Sequence, residues 1–285
     1  MPEVAVATLG ALLAEARAAL AAAGVADAAR EAAWLWAESP AEDAGAWLLR
    51  PEVVPDAARA ARFRARVARR VGGEPLAYVS GWTAFRRVVV RCDRRALIPR
   101  PETEGLVELA LGLARTGRVA DIGTGTGCLA LALADEGAFD AVLAVDRSAD
   151  ALALAAENAR AARAAVALVR GDLTAPLAAA SLDLLVANPP YLTEAEYAAL
   201  DPSVRAWEPR LALPSGADGL DATRRLLDDG RRVLRRSGWL VLEVDARRAG
   251  ETAALAAALG WTGVAISEDL FGRDRFVRAR RGDAP

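Results

Sequence analysis

Histidine and lysine are both missing from this sequence, and all 36 basic residues are arginine. Without histidine there is no Ser–His–Asp triad, no Cys–His pair and no His–Cys zinc site. Without lysine there is no Schiff-base chemistry and no Walker-A phosphate clamp. Cysteine occurs twice, as Cys92 and Cys128. That is too little for a disulfide scaffold and points to a cytoplasmic location. No apolar run approaches the roughly 18 residues of a membrane span. The opening Met1-Pro2-Glu3-Val4 lacks the basic start and apolar block of a signal peptide. A net charge of -2 leaves no global positive field for holding nucleic acid. What is present is apolar surface: 54% of 285 residues, enough for one large or two modest domains with real cores.

The chain reads in two halves. Up to about residue 80 the pattern is helical. Leu9, Leu12, Leu13 and Ala16 recur at helical spacing behind Thr8 as an N-cap. A second helix begins near Asp27 and carries Trp34 and Trp36, a third covers Ala44 to Leu49, and Pro55 opens a fourth that runs from Ala58 to Arg70. The tryptophans read as core of this small bundle. Phe85 to Val90 reads as a strand that pairs with Ala96-Leu97-Ile98 in a hairpin linking the halves, over residues 81–100. From 101 to 285 strands and helices alternate, with strands at Val119–Ile122, Ala141–Val145, Val166–Val169, Leu182–Ala187, Trp239–Val244, Val264–Ser267 and Arg275–Ala279. Repeated βα units predict an α/β, Rossmann-like, doubly wound sheet.

Asp121-Ile122-Gly123-Thr124-Gly125-Thr126-Gly127 follows a predicted strand and precedes a helix. Glycines there permit a tight turn and close backbone approach to a ligand. The spacing is G-x-G-x-G, not the G-x-G-x-x-G of a dinucleotide fingerprint. An aspartate just ahead of the glycines suits a ligand cation better than a diphosphate. S-adenosylmethionine carries an ammonium and a sulfonium and no phosphate. Asp146 ends the next strand, where a carboxylate accepts both ribose hydroxyls, and Asp172 follows the third strand, placed for the adenine edge. The cofactor-binding set is thus Asp121, Gly123, Thr124, Gly125, Gly127, Asp146, Asp172 and Asn188. No metal is expected, since the carboxylates sit where an organic cofactor needs them and imidazole is lacking.

Asn188-Pro189-Pro190-Tyr191 follows the strand Leu182–Ala187. Consecutive prolines remove two N–H donors and stiffen the turn, leaving carbonyls to point outward. A planar amide or aromatic amine nitrogen has a delocalised lone pair and is a poor nucleophile. Asn188 Oδ1 and the Pro189 carbonyl can hold its two N–H bonds, aim it at an electrophilic methyl and stabilise the charge that grows on it. The Tyr191 ring can lie on the planar group. No strong base is required before transfer, which fits a site without histidine or lysine.

The chain resembles the bacterial peptide-chain-release-factor glutamine N5-methyltransferase family. The matching stretches are Gly73-Glu74-Pro75-Leu76-Ala77-Tyr78, Leu97-Ile98-Pro99-Arg100-Pro101-Glu102-Thr103-Glu104, the glycine loop, Asn188 to Tyr191, Glu208-Pro209, Asp218-Gly219-Leu220-Asp221, Leu242-Glu243 and Asp269-Leu270 with Gly272 and Arg275. The resemblance implies a five-helix-like substrate-recognition domain over residues 1–80, a hairpin, and a seven-stranded class I methyltransferase domain. It also implies methyl transfer from S-adenosylmethionine to the glutamine of the Gly-Gly-Gln motif in class 1 release factors. Asn188, Pro189 and Tyr191 would be catalytic, and Arg100, Pro101, Glu102 and Pro190 would join them in binding the substrate. A monomer meeting its protein substrate transiently is expected.

The sequence departs from the family pattern at Asp245, where a glycine is usual, at Arg248, where a glutamine is usual, and at Thr193, near a common proline. The rival reading is an adenine-N6 methyltransferase acting on nucleic acid, because adenine N6 poses the same lone-pair problem. The stretch Arg59–Arg100 holds 12 arginines against Glu74 and Asp93. It reads as a phosphate-facing patch, a protein-docking patch or a solvated face.

Overall fold

The computed structural model describes residues 7–42 and 44–282, so the Met1–Val4 opening and the tail beyond Gly282 lie outside the described residues. The chain divides into two compact units, 1–83 and 84–285.

The first unit is built from α1 (Leu9–Ala22), α2 (Ala28–Trp36), α3 (Ala44–Leu48), α4 (Ala57–Val71) and α5 (Leu76–Ser80). Thr8 caps α1, its hydroxyl accepting from the Ala11 N–H. Asp56 caps α4 by accepting from the Arg59 N–H. Pro55 therefore precedes the cap instead of opening the helix, because a carboxylate satisfies an orphan N–H that proline merely lacks. Helix α5 was not anticipated, being too short for a periodic signal. The core joins Leu9, Leu12 and Leu20 of α1 to Leu35 and Trp36 of α2 and Phe63 of α4. The Arg59 guanidinium lies between the Trp36 and Trp47 rings, 4.6 Å from each centroid. Trp34 stacks on Trp82 at 4.7 Å.

Strands β1 (Trp82–Phe85) and β2 (Val88–Arg91) form a two-stranded sheet, and the division between units falls inside β1. This corrects the expected strand over Phe85–Val90, which contains the hairpin turn, and its expected partner Ala96-Leu97-Ile98, which is not a strand. Arg86 takes φ +50° in that turn. Its guanidinium is held by Glu136 at 2.6 Å and its N–H by Glu104 at 2.9 Å. Residues distant in sequence fix the turn, so local alternation could not reveal it.

The second unit continues with α6 (Glu104–Leu113), β3 (Arg118–Ile122), α7 (Cys128–Glu136), β4 (Ala141–Asp146), α8 (Ala149–Ala162), β5 (Val166–Arg170), β6 (Leu182–Ala187), α9 (Glu194–Ala199), α10 (Pro202–Trp207), α11 (Asp221–Val233), β7 (Leu234–Glu243), α12 (Ala249–Ala258), β8 (Thr262–Glu268) and β9 (Asp274–Arg280). The seven-stranded sheet has the order β5-β4-β3-β6-β7-β9-β8. Strands β5 to β7 pair in parallel, and β9 is antiparallel to both β7 and β8. This is the expected Rossmann-like sheet. Short helices α9 and α10, after the proline motif, were not foreseen. Thr193 opens α9 with a reciprocal capping box to Glu196, which gives a purpose to this departure from proline. The core beneath the sheet is aliphatic, with Ile122, Val145, Leu185, Leu226, Leu240 and Val277 all nearly inaccessible. Among the described residues no helix is long and apolar enough to cross a membrane.

Candidate active site

In a doubly wound sheet the order reverses between two strands, and ligands settle beyond their carboxyl ends. Here the reversal lies between β3 and β6. Ile122 is in register with Ala187, so Gly123 and Asn188 leave the sheet side by side. Val145 pairs with Ile122 on one flank and Leu242 with Ala187 on the other. The next residues, Asp146 and Glu243, complete a row of functional groups along one edge.

The glycine loop is held from below. Gly123, Gly125 and Gly127 take φ of +76°, +55° and +85°, a region that side chains disfavour. The Gly123 and Thr124 N–H groups donate to the Val145 carbonyl at 2.8 and 3.0 Å. Asp121 is wholly buried, and its Oδ2 accepts from Thr124 Oγ1 at 2.6 Å and from the Ala130 N–H at 3.2 Å. Burial pushes its carboxyl up to about 7, with the Thr124 hydroxyl and Ala130 N–H pulling the other way. Asp121 thus braces the loop with one oxygen, while Oδ1 is buried without a hydrogen-bond partner. Asp146, at the end of β4, accepts from the Gly125 N–H at 3.0 Å and the Ser148 N–H at 2.9 Å. Asp172 follows β5, is exposed, and pairs with Arg225 at 2.7 Å.

A methyl donor with an ammonium and ribose hydroxyls fits this residue set. A Cβ at Gly123 would meet nothing within 4 Å, so the loop leaves space there. The orphaned Asp121 oxygen and the Asp146 carboxylate are the acceptors at this loop. Among the described residues no three His, Cys, Asp or Glu side chains cluster as metal ligands do.

On the other side of the reversal, Pro189 is buried and Asn188 half-buried. The Asn188 Nδ2 donates to Thr103 Oγ1 at 3.1 Å. Burial is the main cause that pushes the Tyr191 hydroxyl up to about 12, with the Glu243 charge adding to it, so the phenol stays neutral. The chain after Tyr191 is pinned. The Leu192 N–H donates to Leu213 O at 3.0 Å, and Ser215 N–H returns to Leu192 O at 2.7 Å. Gly219, at φ +81°, lies against the Tyr191 carbonyl; a Cβ there would come within 2.4 Å of that oxygen.

Arg100 pairs with buried Glu208 at 2.6 Å, and Glu208 also accepts from the Ile98 N–H at 3.3 Å. That ion pair orders the Pro99-Arg100-Pro101 segment, which runs into a single 3-10 turn over Pro101–Thr103 carrying Glu102. The two other departures from the family pattern have structural partners. Asp245 accepts from the Arg247 N–H at 2.9 Å with φ -64°, a conformation open to any residue. Arg248 binds the Asp218 carbonyl at 2.7 Å and Glu196 at 2.8 Å, tying together the segments around the proline motif.

The run of arginines is no free patch. Glu15, Glu31, Glu38, Glu42 and Glu74 pair with Arg64, Arg70, Arg62, Arg59 and Arg69 in the first unit. Arg66 is held by the Leu35 and Ala37 carbonyls. In the second unit Arg86, Arg87, Arg91, Arg95 and Arg100 meet Glu136, Asp135, Glu157, Asp93 and Glu208. Arg94 covers the Trp207 ring at 3.9 Å. The neutralising carboxylates lie mostly outside the counted stretch, so a local charge tally overstated the patch.

Three contributors went unread. Thr103 and Glu243 fell inside quoted motifs but received no role. Asn158 of α8 is buried; it accepts from the Arg91 N–H at 2.7 Å and donates to Thr126 O at 2.9 Å, joining β2 to the glycine loop. An isolated asparagine in a helix offers no sequence signal for that task.

Known proteins complete the picture. The family profile of the PrmC N-terminal domain matches residues 11–81, and that of the methyltransferase small domain matches residues 103–203. The chain is 44% identical over 264 residues to the release factor glutamine methyltransferase of Cereibacter sphaeroides, covering 92% of this chain and 94% of that one. It is 43% identical over 241 residues to the release factor glutamine methyltransferase of Nitratidesulfovibrio vulgaris, covering 82% of each chain. The crystal structure of a methyltransferase from Pyrococcus furiosus shares the fold, with a TM-score of 0.53 at 17% identity over 80% of this chain and 100% of that chain. With a seven-stranded Rossmann-like sheet, a glycine loop and the Asn-Pro-Pro-Tyr turn side by side, and relatives of 43–44% identity covered over 82–94% of their length, this chain belongs to the release factor glutamine methyltransferase family.

Proposed function

We propose that the enzyme transfers a methyl group from S-adenosylmethionine to the side-chain N5 of the glutamine in the Gly-Gly-Gln motif of class 1 release factors. The observation that carries this reading is the Asn188 amide beside the glycine loop: its N–H is engaged by Thr103, which leaves Oδ1 as an acceptor. S-adenosylmethionine, when bound, supplies an electrophilic methyl on a sulfonium.

Asn188 Oδ1 and the Pro189 carbonyl accept the two N–H bonds of the glutamine amide and direct its nitrogen at the methyl. Their partial negative charges gain strength as positive charge grows on that nitrogen, which lowers the barrier selectively in the transition state. The C–N bond forms as the C–S bond breaks. The nitrogen, now acidic, gives its extra proton to water, so no resident base is needed. Tyr191 packs on the amide plane, and Asp146 holds the ribose hydroxyls. Pro101 and Glu102, fixed by the Arg100–Glu208 pair, border the incoming loop. The first unit recognises the body of the release factor, and the work is done in the cytoplasm, where translation ends.

The test is methylation by labelled S-adenosylmethionine of two release factors, one intact and one with its Gly-Gly-Gln glutamine changed to alanine. Incorporation at the glutamine side chain of the first alone is expected. Equal labelling of both, or preferred labelling of DNA adenine, overturns the assignment. Hydrogen exchange on mixing with the release factor should show protection in α1 to α5; its absence there refutes the recognition role.

A further inference from the structure

Beyond the braces in its own motif, the glycine loop is held by a side chain of α8. Asn158 lies on the buried face of that helix with Ala151, Leu154 and Ala155, and is 1% exposed. Residues 151, 154, 155 and 158 follow the i, i+3, i+4, i+7 spacing of a core-facing stripe, so a carboxamide stands where an aliphatic side chain would ordinarily pack. Its burial costs stability unless its polar atoms are bonded. Oδ1 accepts from the Arg91 N–H at 2.7 Å, and Nδ2 donates to Arg91 O at 3.2 Å and to Thr126 O at 2.9 Å. A leucine could make none of these bonds, and an aspartate could accept but not donate.

The Arg91 end of this tie is firm. Arg95 pairs with Glu157, the neighbour of Asn158, at 2.7 Å, and Ala96 packs with Ala151 and Leu154. The Thr126 end is pliant. Gly125 and Gly127 flank it at φ +55° and +85°, so the backbone can turn on both sides. Asp121 fastens the loop at Thr124, and Asp146 fastens it at Gly125. Asn158 fastens its end. Just beyond, Gly127 lies against α8, where a Cβ on it would come within 3.2 Å of Ala155 Cβ.

We propose that Asn158 is a positioning residue for donor binding: its carboxamide clamps the Thr126 carbonyl to the end of β2 and keeps the glycine loop in the form that receives S-adenosylmethionine. The inference rests on the donor site of the function proposed above, and not on the identity of the methyl acceptor. Without the clamp the loop divides its time between the receptive form and others, and the apparent Kd rises by the reciprocal of the receptive fraction. Bound donor restores that form through its own contacts. The loss therefore falls on donor affinity and disappears from kcat once donor saturates. The coupling is reciprocal, so a clamp that aids donor binding is itself tightened by donor.

Asn158→Asp separates the two ends of the tie, because its carboxylate still accepts the Arg91 N–H but has no hydrogen for Thr126 O. Calorimetric titration of the full-length variant should show the S-adenosylmethionine Kd raised about fivefold or more, with kcat at saturating donor within about twofold of wild type. Trp261→Phe is the control. It also deletes a buried hydrogen bond, from Nε1–H to Leu227 O at 2.9 Å where α11 meets the start of β8, and should leave the donor Kd unchanged. A wild-type Kd in folded Asn158→Asp, an equal rise in Trp261→Phe, or a fall in kcat that saturating donor does not repair overturns the clamp. Should Asn158→Asp not fold, the wild-type chain decides. It contains two asparagines, Asn158 and Asn188, and no glutamine, so 15N-asparagine labelling gives two side-chain amide pairs. The pair that survives in Asn188→Ala is that of Asn158. Its hydrogen on Thr126 O should exchange with solvent more slowly as donor saturates, and exchange indifferent to donor overturns the clamp. These measurements separate the two proposals: a chain that binds donor through the clamp but leaves release factors unmethylated refutes the proposed function alone, whereas a chain that binds no S-adenosylmethionine refutes both.

Discussion

Two loops leave neighbouring strands of this sheet, and they solve the same problem in opposite ways. The loop after β3 is made of glycines, so its backbone is free and must be held. Asp121 holds it from within, spanning Thr124 and the Ala130 N–H. The loop after β6 is made of prolines, so its backbone is already stiff and needs only placement. Its placement comes from outside: Thr103 on Asn188, the 213–215 segment on Leu192, and Gly219 against the Tyr191 carbonyl. A ligand wrapped by backbone calls for the first design. A substrate gripped by two fixed acceptors calls for the second. The lesson is that a flexible loop carries its first brace in its own motif, whereas a rigid one borrows braces from remote sequence.

Breaking the second loop at its acceptor should have the largest effect. Asn188→Ala should reduce kcat by roughly 100-fold or more, because the lost interaction strengthens with developing charge. Calorimetric titration should find donor affinity nearly normal, and a kcat within a few-fold of wild type would refute the acceptor role. On the first loop, Asp146→Ala should weaken S-adenosylmethionine binding by about 1.5–3 kcal/mol, the cost of losing a charged hydrogen-bond acceptor. Unchanged affinity in a folded variant would remove Asp146 from the donor site.

A smaller effect should come from the remote brace. Gly219→Ala places a Cβ 2.4 Å from the Tyr191 carbonyl at φ +81°, so the motif or the glycine must move. A loss of about 1–3 kcal/mol in stability and a fall in kcat exceeding any change in donor Kd are expected. Denaturant unfolding and steady-state kinetics measure both, and a neutral variant would show that Gly219 does not position the motif.

The subtlest test concerns the internal brace. Asp121 titrates near 7 when folded, above its ordinary unfolded value of about 3.9. The folded state therefore binds the extra proton between those limits. Its stabilising contribution is full below about 4 and is lost as pH rises through 7. Asp121→Asn should remove that slope, at most about 1.4 kcal/mol per pH unit, leaving the similar slope from Glu243, whose carboxyl burial also pushes up to about 7. Thermal unfolding of the two proteins from pH 5 to 8 distinguishes them, and parallel curves would refute the burial argument.

The strands β4, β6 and β9 and helix α8 stood in the sequence nearly to the residue, because continuous apolar runs and a 3.6-residue period are local properties. The hairpin did not. Its turn at Arg86 depends on Glu104 and Glu136, and Ala96, expected in a strand, instead packs with Ala151 and Leu154. The arginine run stayed open between three readings for a related reason, since charge in sequence is counted before its partners are known.

For the site, the glycine spacing and the Asn-Pro-Pro-Tyr motif were legible because each is a contiguous device whose backbone chemistry acts within a few residues. That alone marked a candidate methyl-donor loop and a candidate amide-holding turn. Only the tertiary structure decided that the two stand side by side, because the register of Ile122 with Ala187 joins residues 65 positions apart. It alone decided how the Asn188 amide is held, because Thr103 reaches it from another segment of the chain. A hydrogen-bond partner is set by distance in space, and sequence records only distance along the chain.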